Sequence, residues 1–323
     1  MEHAVIIRKV PTFYFIGVTT TKSSIMKVFP LWVKELGRPE VVIEGVDLLI
    51  HDTPENYRKA VEQIKFDNNS LGALVTTHKI DLLNATKDLF EYLDPYATLC
   101  NEISCISKSD GRLEGHAKDP ITVGWSMDDL IGVEYFKKTG GEILCFGAGG
   151  SGVATAIHLI NKKNPGDRPN KYIVVNRSPG RLVEMEKLVK SLNSSIHFKF
   201  ICNTDPVKND ELMAGIAPGS LVINATGMGK DVPGSPITDN GKFPEKGIAW
   251  DFNYRGELDF MHQALRQQQD TELIVEDGWL YFIHGWTQVI AQVFHLTLFN
   301  ERINQLANVA EFVRPRKEPG LRR

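Results

Sequence analysis

A glycine-rich turn in the middle of the chain has the composition and spacing of a nucleotide-binding loop. The apolar run 143–146 leads directly into Gly147, Gly149, Gly150, Ser151 and Gly152, which open a helix-like segment. The first glycine would permit a tight turn, the second a close approach to a pyrophosphate, and the last close helix packing. The helix N-terminus would offer unpaired N–H groups to phosphate oxygens. This pattern predicts dinucleotide binding, with a purely structural turn as the alternative.

The next strand-like run ends in Asn176-Arg177-Ser178, and these residues bear on which dinucleotide is bound. A site that prefers NAD usually has a carboxylate at this point, which bonds the ribose hydroxyls. Arg177, with Arg181, is instead suited to the 2′-phosphate of NADP, because a guanidinium offers several fixed donors to phosphate oxygens. The sequence therefore favours NADP, although Arg177 as a simple cap on a surface turn is the alternative.

These loops must be positioned by an alternation of strands and helices that occurs twice along the chain. Strand-like runs at 12–18, 40–50 and 73–76 alternate with helix-like segments at 26–36, 54–64 and 81–91. A hairpin-like stretch turning at Asp110-Gly111 follows, then a helix from Pro120 and a second series from residue 142. This pattern predicts an α/β protein with two domains, an N-terminal α/β domain with a mostly parallel sheet and a Rossmann-type NADP-binding domain.

The domain boundaries follow from the same pattern and from the length of 323 residues, which exceeds the usual size of one domain. We expect a first domain at residues 1–119 and a nucleotide-binding domain at 120–278. We expect residues 279–323 to form C-terminal helices that return to the first domain. One long helix, at about residues 282–305, is predicted within this last part.

Composition excludes several classes of protein. A net charge of -3, with 42% hydrophobic and 24% charged residues, is typical of an ordinary globular protein with no nucleic-acid partner. The one basic cluster, residues 314–323, is interpreted as a solvated chain end. The apolar runs are too short for a membrane helix, and the N-terminus lacks a signal-peptide pattern, so we expect a cytoplasmic protein. The four cysteines are not spaced in the pairs that are typical of metal sites, so we expect neither disulfides nor a bound metal.

Beyond the glycine turn, the second half of the chain resembles the shikimate dehydrogenase / quinate dehydrogenase family. The resemblance is carried by Asn176-Arg177-Ser178, Ile223-Asn224-Ala225-Thr226-Gly227-Met228-Gly229, Asp251-Phe252-Asn253-Tyr254 and Glu276-Asp277-Gly278. It implies an oxidoreductase with NADP as cofactor, acting in aromatic amino acid biosynthesis through the shikimate pathway. It also implies that Asn224, Thr226, Gly227, Met228 and Gly278 contribute to the cofactor site.

The first half resembles the same family through Lys22-Ser23-Ser24, the segment 72–79 and Gly115-His116-Ala117-Lys118-Asp119. The resemblance therefore implies the family's two-lobed fold for residues 12–288, with an active site between the lobes. It also implies that residues 1–119 form the substrate-binding (catalytic) domain. The resemblance assigns Lys79 and Asp119 as the catalytic pair. An ordinary salt bridge between them is the alternative. By the same resemblance, and by position, substrate contacts are expected from Ser23, Thr76, Lys118, Tyr254 and Gln288.

Departures from the family pattern concentrate among the expected substrate contacts. Ile25, Leu74 and Ile103 stand where the family has polar side chains, and the lysine at position 79 comes one residue early. Lys118 either binds a substrate carboxylate or neutralises Asp119. Each lost hydrogen bond to a substrate hydroxyl would reduce the enzyme's preference for a substrate with that hydroxyl by about 1 kcal/mol or more. Shikimate itself is therefore doubtful as the substrate.

The function predicted from the sequence is hydride transfer between NADP and a secondary alcohol or ketone of a small hydroxy acid. Two alternatives remain at this point. One is a non-catalytic NADP-binding regulatory protein, and the other is a dehydrogenase acting on an unrelated substrate, such as a folate or amino-acid derivative. The oligomeric state is expected to be a monomer or a homodimer.

Overall fold

The computed structural model describes residues 5–230 and 232–315. The strands are β1 (Thr12–Gly17), β2 (Val42–Asp47), β3 (Ser70–Val75), β4 (Tyr92–Leu93), β5 (Cys105–Ser109), β6 (Arg112–His116), β7 (Ile143–Phe146), β8 (Lys171–Asn176), β9 (His197–Cys202), β10 (Leu221–Asn224), β11 (Ile248–Asp251) and β12 (Ile274–Glu276). The helices are α1 (Ile25–Glu35), α2 (Pro54–Phe66), α3 (Lys79–Thr86), α4 (Pro95–Cys100), α5 (Asp119–Ile131), α6 (Tyr135–Thr139), α7 (Gly150–Asn161), α8 (Pro179–Ser191), α9 (Pro206–Ala214), α10 (Asp259–Leu265), α11 (Gln268–Thr271), α12 (Trp279–Phe294) and α13 (Asn300–Glu311).

Contacts divide the described chain into two units. The first consists of residues 5–118 and 283–314, and the second of residues 119–282. Each unit contains one six-stranded sheet.

The sheet of the first unit is mixed, in the order β2-β1-β3-β5-β6-β4. β1 pairs in parallel with β2 and β3, whereas β5 runs antiparallel to β3 and to β6. The predicted hairpin is confirmed, because Asp110 and Gly111 join β5 to β6 with φ values of 51° and 78°. Such a turn, with both central residues left-handed, matches the twist of the strands it connects.

The C-terminal helices contribute to the core of the first unit. Trp32 of α1 is fully buried and donates its indole N–H to the carbonyl of Leu306 in α13, at 2.7 Å. The Trp286 ring of α12 lies edge-on to Phe15 of β1, with centroids 5.0 Å apart. The burial of these large rings holds α12 against the sheet and α13 against α1 by apolar area and not by polar bonds alone.

All strand pairs of the second unit's sheet are parallel, in the order β12-β11-β10-β7-β8-β9. Read from β9, this is the strand order of a Rossmann fold, so the predicted α/β class is confirmed. Every residue of β7, β10 and β11 is buried, as expected for strands covered by helices on both faces. The strand order reverses at β7 and β10, and ligands of such sheets bind at the carboxyl ends of the strands at this point.

The single helix predicted at residues 282–305 is wrong, because two helices, α12 and α13, occupy this part of the chain. His295 ends α12 in the left-handed conformation, with φ of 55°. The N–H of Leu296 then bonds back to the carbonyl of Ala291 at 2.8 Å, which closes the helix end. Neither glycine nor proline marks this position, so the sequence gives no stop signal.

The helix expected at 81–91 ends at Thr86, and a 3-10 turn and the short strand β4 follow. None of the four cysteines forms a disulfide within the described part of the chain. No helix among the described residues is long and apolar enough to cross a membrane. Residues 316–323, which include most of the basic cluster, lie outside the described part of the chain.

Candidate functional site

A cavity of about 620 Å³ opens at the carboxyl ends of β7, β8 and β10, within the second unit. Nine of the residues predicted to hold a cofactor line it: Gly147, Gly149, Asn176, Arg177, Ser178, Arg181, Thr226, Gly227 and Met228. The cavity lies at the reversal of strand order, where a parallel sheet of this kind binds its ligands. The sequence motifs therefore converge on one site, although they are spread over 82 positions from Gly147 to Met228.

The glycines of the turn serve distinct steric purposes. Gly147 has φ of +115°, and a Cβ atom there would lie 2.6 Å from the Ala225 carbonyl oxygen. A Cβ on Gly152 would lie 2.2 Å from the Gly147 carbonyl oxygen, so a side chain at position 152 would push α7 away from the turn. A Cβ on Gly149 would meet no protein atom within 4 Å. Position 149 thus faces open space, which suits close approach of a ligand.

The start of α7 presents free backbone donors beside the glycine turn. Gly149 is the N-cap residue, with extended backbone, and no acidic side chain occupies the first turn. The first N–H groups of a helix have no intrahelical acceptors and carry a partial positive charge. Gly150 and Ser151 begin α7 and supply such groups, although their atoms are not among those lining the cavity.

The charged side chains of the cavity are two arginines that follow β8. Arg177 and Arg181 are both exposed, and Arg181 lies 3.8 Å from Glu184 in a solvent-facing ion pair. Among the described residues lining the cavity, none is aspartate or glutamate. Asn176 connects the glycine turn to the loop after β8. Its Oδ1 accepts from Ala148 N at 3.4 Å, and its Nδ2 donates to Ser178 O at 3.1 Å. The cavity therefore has positively charged side chains at the carboxyl end of β8.

The loop after β10 is shaped by a buried amide. Asn224 is fully buried, and its Oδ1 accepts from Thr226 N at 3.1 Å and from Thr226 Oγ1 at 2.6 Å. Asn253 Nδ2 donates to the carbonyls of Thr226 and Met228, at 3.1 and 3.0 Å. Asn224 thus acts on the cavity indirectly, by fixing the backbone of Thr226 and Met228, and does not line it.

Beneath this loop lies Asp251, a carboxyl group that is 1% exposed. Its Oδ1 accepts from Asn224 Nδ2 at 3.1 Å and from Asn253 N at 3.0 Å, whereas Oδ2 has no partner among the described residues. Burial raises the pKa of Asp251 to about 8, because the charged form is poorly solvated. The negative charge of Asp277 adds to this rise, and the hydrogen bonds from Asn253 and Asn224 oppose it. The carboxyl is therefore largely neutral at neutral pH.

Gly278 does not line the cavity. A Cβ at this position would lie 2.1 Å from the Phe252 carbonyl oxygen, so the glycine is required by close packing of two backbone segments. Its N–H donates to Asn253 O at 3.1 Å, which links it to the loop network. The role of Gly278 is therefore structural in this unit, as is that of Gly152.

Sequence reasoning missed a further group of cavity residues: Asn203, Thr204, Pro206, Asn209, Ala225, Val232, Ser235 and Pro236. Ala225 directly follows β10, and the others lie in the stretch after β9 or in the irregular segment that follows Gly229. The end of β9 could have been anticipated, because it lies beside the end of β8 at the same edge of a parallel sheet. The segment around Ser235 has no periodic pattern of apolar residues, so no comparable signal predicts its place at the cavity.

In the first unit, the turn before Lys79 is strained. His78 N bonds to Thr76 O at 2.7 Å, and Thr77 between them has φ of +66°. This conformation is unfavourable for a β-branched residue and persists only where its surroundings enforce it, often at functional sites. His78 is buried and its Nδ1 lies 3.3 Å from the Tyr57 hydroxyl. The turn places half-buried Lys79 at the first position of α3.

Lys118 lies in a segment held by three side chains. Its backbone N donates to Ser104 Oγ at 2.8 Å, and the preceding Ala117 N donates to Asp94 Oδ1 at 3.3 Å. The Lys118 ammonium donates to Gln292 Oε1 of α12 at 2.7 Å. Gln292 was not identified from the sequence, and it fixes the position of the Lys118 head group.

The other predicted substrate contacts, and the predicted catalytic residue Asp119, are found in both units. Ser23 and Gln288 are half-buried in the first unit, Ser23 after a short 3-10 turn and Gln288 on α12. In the second unit, Tyr254 lies with its ring centroid 5.3 Å from that of Trp279, and Asp119 is the first residue of α5. Ile25 and Ile103, which replace polar family residues, are fully buried in the first unit.

Comparison with known proteins adds a sequence relative and a fold. No protein-family model matches the chain. The shikimate dehydrogenase (NADP(+)) of Lactococcus lactis subsp. cremoris is 27% identical over 216 residues, which cover 65% of this chain and 71% of that protein.

Two solved structures share the fold at lower identity. A shikimate dehydrogenase in complex with NADP+ has a TM-score of 0.71 at 19% identity, covering 97% of this chain and 99% of its own. The ligand-free 5-ketofructose reductase of a Gluconobacter species has a TM-score of 0.69 at 15% identity, covering 94% and 99%. The sequence relative, together with this fold, confirms the resemblance to the shikimate dehydrogenase / quinate dehydrogenase family that the motifs indicate.

Proposed function

We propose that the protein is an NADP-dependent dehydrogenase that transfers hydride between the nicotinamide and a secondary alcohol or ketone of a small hydroxy acid. The observation that carries this proposal is the cavity at the strand-order reversal, which combines the glycine turn with two arginines. None of the described residues that line it is aspartate or glutamate. In this proposal the second unit binds the nucleotide and the first binds the substrate. The name of the Lactococcus relative, a shikimate dehydrogenase (NADP(+)), supports both the activity and the cofactor.

The donors around the cavity fit a phosphorylated dinucleotide. The free N–H groups at the start of α7 suit the pyrophosphate, and the open space at Gly149 allows it to approach. Arg177 and Arg181 suit the 2′-phosphate, because guanidinium groups bond phosphate oxygens through several donors. The small residues Ala225 and Gly227 would leave room for the nicotinamide ring beside β10.

We propose Lys79 and Asp119 as the groups that handle the substrate proton. When bound, NADP accepts a hydride from the carbinol carbon, so the hydroxyl must lose its proton to a nearby group. An amine beside a carboxylate can exchange such a proton and is oriented by its partner. The strained turn at Thr77, immediately before Lys79, supports a functional role for this segment.

The substrate is proposed to be a small acid other than shikimate. Lys118, held by Gln292, is suited to a carboxylate, since an ammonium group offers both charge and donors. The buried apolar side chains at positions 25 and 103 leave fewer polar groups to recognise ring hydroxyls. The match in fold to a 5-ketofructose reductase supports a second candidate, reduction of a ketone on a substrate unrelated to shikimate.

Replacing Arg177 with alanine tests the cofactor assignment. We expect the Kd for NADP to rise roughly 10- to 100-fold, because a charge-assisted hydrogen bond to phosphate contributes about 1.5–3 kcal/mol. The Kd for NAD should change less than about twofold, since NAD lacks the 2′-phosphate. Isothermal titration calorimetry with both nucleotides measures the two values. Equal weakening of NADP and NAD would reject Arg177 as the 2′-phosphate ligand.

A further inference from the structure

Two walls of the nucleotide cavity are irregular and need side chains to hold them. One is the loop after β9, which contributes Asn203 and Thr204, and the other is the segment between Gly229 and β11, which contributes Val232, Ser235 and Pro236. Backbone outside helices and strands has no ladder of hydrogen bonds to fix it. The shape of these walls therefore depends on individual side-chain contacts.

Asn209, on α9, bonds to both walls at once. Its Nδ2 donates to the Pro236 carbonyl at 2.7 Å, and its Oδ1 accepts from Asn203 Nδ2 at 2.7 Å. The residue is 6% exposed, so these bonds do not compete with bulk water. One buried amide thus uses its donor and its acceptor to connect two cavity walls that lie far apart in sequence.

The wall nearer to Arg177 is linked to the end of β8 as well. Asn203 N donates to Asn176 O at 3.1 Å, and the Cys202 thiol lies 3.7 Å from the Arg177 carbonyl oxygen. A shift of Asn203 would therefore be transmitted to the backbone that carries Arg177. This edge of a Rossmann sheet is where the adenosine ribose is recognised.

We propose that Asn209 is a positioning residue for the adenosine half of the dinucleotide, holding both cavity walls at the spacing that this half requires. This inference rests on the proposed function, because it takes the cavity as the NADP site. Asn209 does not supply charge to the phosphate. It acts through Asn203 and Pro236, whose positions it sets by hydrogen bonds.

The neighbouring residue Asp210 provides a matched control. Its carboxylate accepts from Thr238 N at 3.0 Å and from Thr238 Oγ1 at 2.5 Å, so it anchors the same irregular segment. Neither Asp210 nor Thr238 is among the cavity-lining residues. Loss of Asp210 should therefore loosen the segment outside the cavity, and the two substitutions separate a positioning effect from a general loss of stability.

The experiment compares Asn209→Ala, Asn209→Asp and Asp210→Ala with the unmodified protein. Affinities for NADP and for adenosine 2′,5′-bisphosphate are measured by calorimetry, and Tm is measured for each variant. We expect both Asn209 variants to raise the Kd of both ligands about tenfold, equivalent to about 1.4 kcal/mol. Asn209→Asp keeps the acceptor but cannot donate to Pro236 O. Asp210→Ala should lower Tm with a change in Kd below about twofold.

Two results would overturn the inference. One is an unchanged Kd in folded Asn209→Asp and Asn209→Ala, and the other is an equal rise in Kd for Asp210→Ala. Failure of the proposed function has a different signature, because the unmodified protein would then bind neither NADP nor adenosine 2′,5′-bisphosphate.

Discussion

Replacing Lys79 with alanine is expected to lower kcat roughly 100- to 10,000-fold, the range that a positioned acid–base group contributes to catalysis. The affinity for NADP should stay within about twofold, because Lys79 lies in the unit that does not contain the nucleotide cavity. Steady-state kinetics with NADP and an accepted hydroxy acid gives kcat, and calorimetry gives the nucleotide affinity. This combination separates a catalytic role from a role in cofactor binding.

Asp119→Asn is the companion variant. It preserves size and removes the carboxylate, so we expect a loss of kcat of the same order and little further loss in the double variant with Lys79→Ala. Residues that act as one unit give such non-additive effects. Full activity in both single variants would remove these two residues from the reaction.

Replacing Asp251 with asparagine is expected to change how stability depends on pH. The pKa of Asp251 is raised in the folded protein from an ordinary value of 3.8 to about 8, so the folded state binds a proton that the unfolded state releases. The contribution of Asp251 to the free energy of unfolding is therefore fully present below about pH 4. It is lost progressively as the pH rises from there through the folded-state pKa of about 8. Asparagine keeps an acceptor for Asn224 and Asn253 without ionising. The free energy of unfolding of the variant, relative to that of the unmodified protein, should rise by at most about 1.4 kcal/mol per pH unit across this window.

Urea unfolding at several pH values between about 5 and 9 measures this difference. Asp251→Leu is the control, since it also lacks an ionising group but removes the acceptor used by Asn224 and Asn253. It should be less stable than Asp251→Asn at every pH, with the same altered pH dependence as the asparagine variant. Parallel stability curves for the unmodified protein and Asp251→Asn would contradict a neutral buried carboxyl.

The strands and the turn of the second unit were predictable because their signals are local. β7 is a short apolar run that ends at Gly147, and the glycine spacing reports the steric needs of a strand, turn and helix. Arg177 was predictable as well, since it follows directly on the end of β8. In each case the functional residue directly follows, in sequence, the strand that positions it.

Other features depend on contacts that no local pattern encodes. Asn209 bonds to Pro236, 27 residues away, and Lys118 bonds to Gln292, 174 residues away. The end of α12 at His295 depends on a left-handed residue that is neither glycine nor asparagine. The role of Asp251 required knowledge of burial, because a carboxylate and a neutral carboxyl have the same sequence letter.

The most direct measurement is the formation of NADPH, followed by absorbance, when the protein is mixed with NADP and a panel of small hydroxy acids that includes shikimate and quinate. We expect NADPH to form with at least one acid of the panel, faster with NADP than with NAD, and more slowly with shikimate than with the preferred acid. Tight binding of NADP without NADPH from any acid, and without oxidation of NADPH by the corresponding ketones, would contradict a dehydrogenase and indicate a nucleotide-binding regulator.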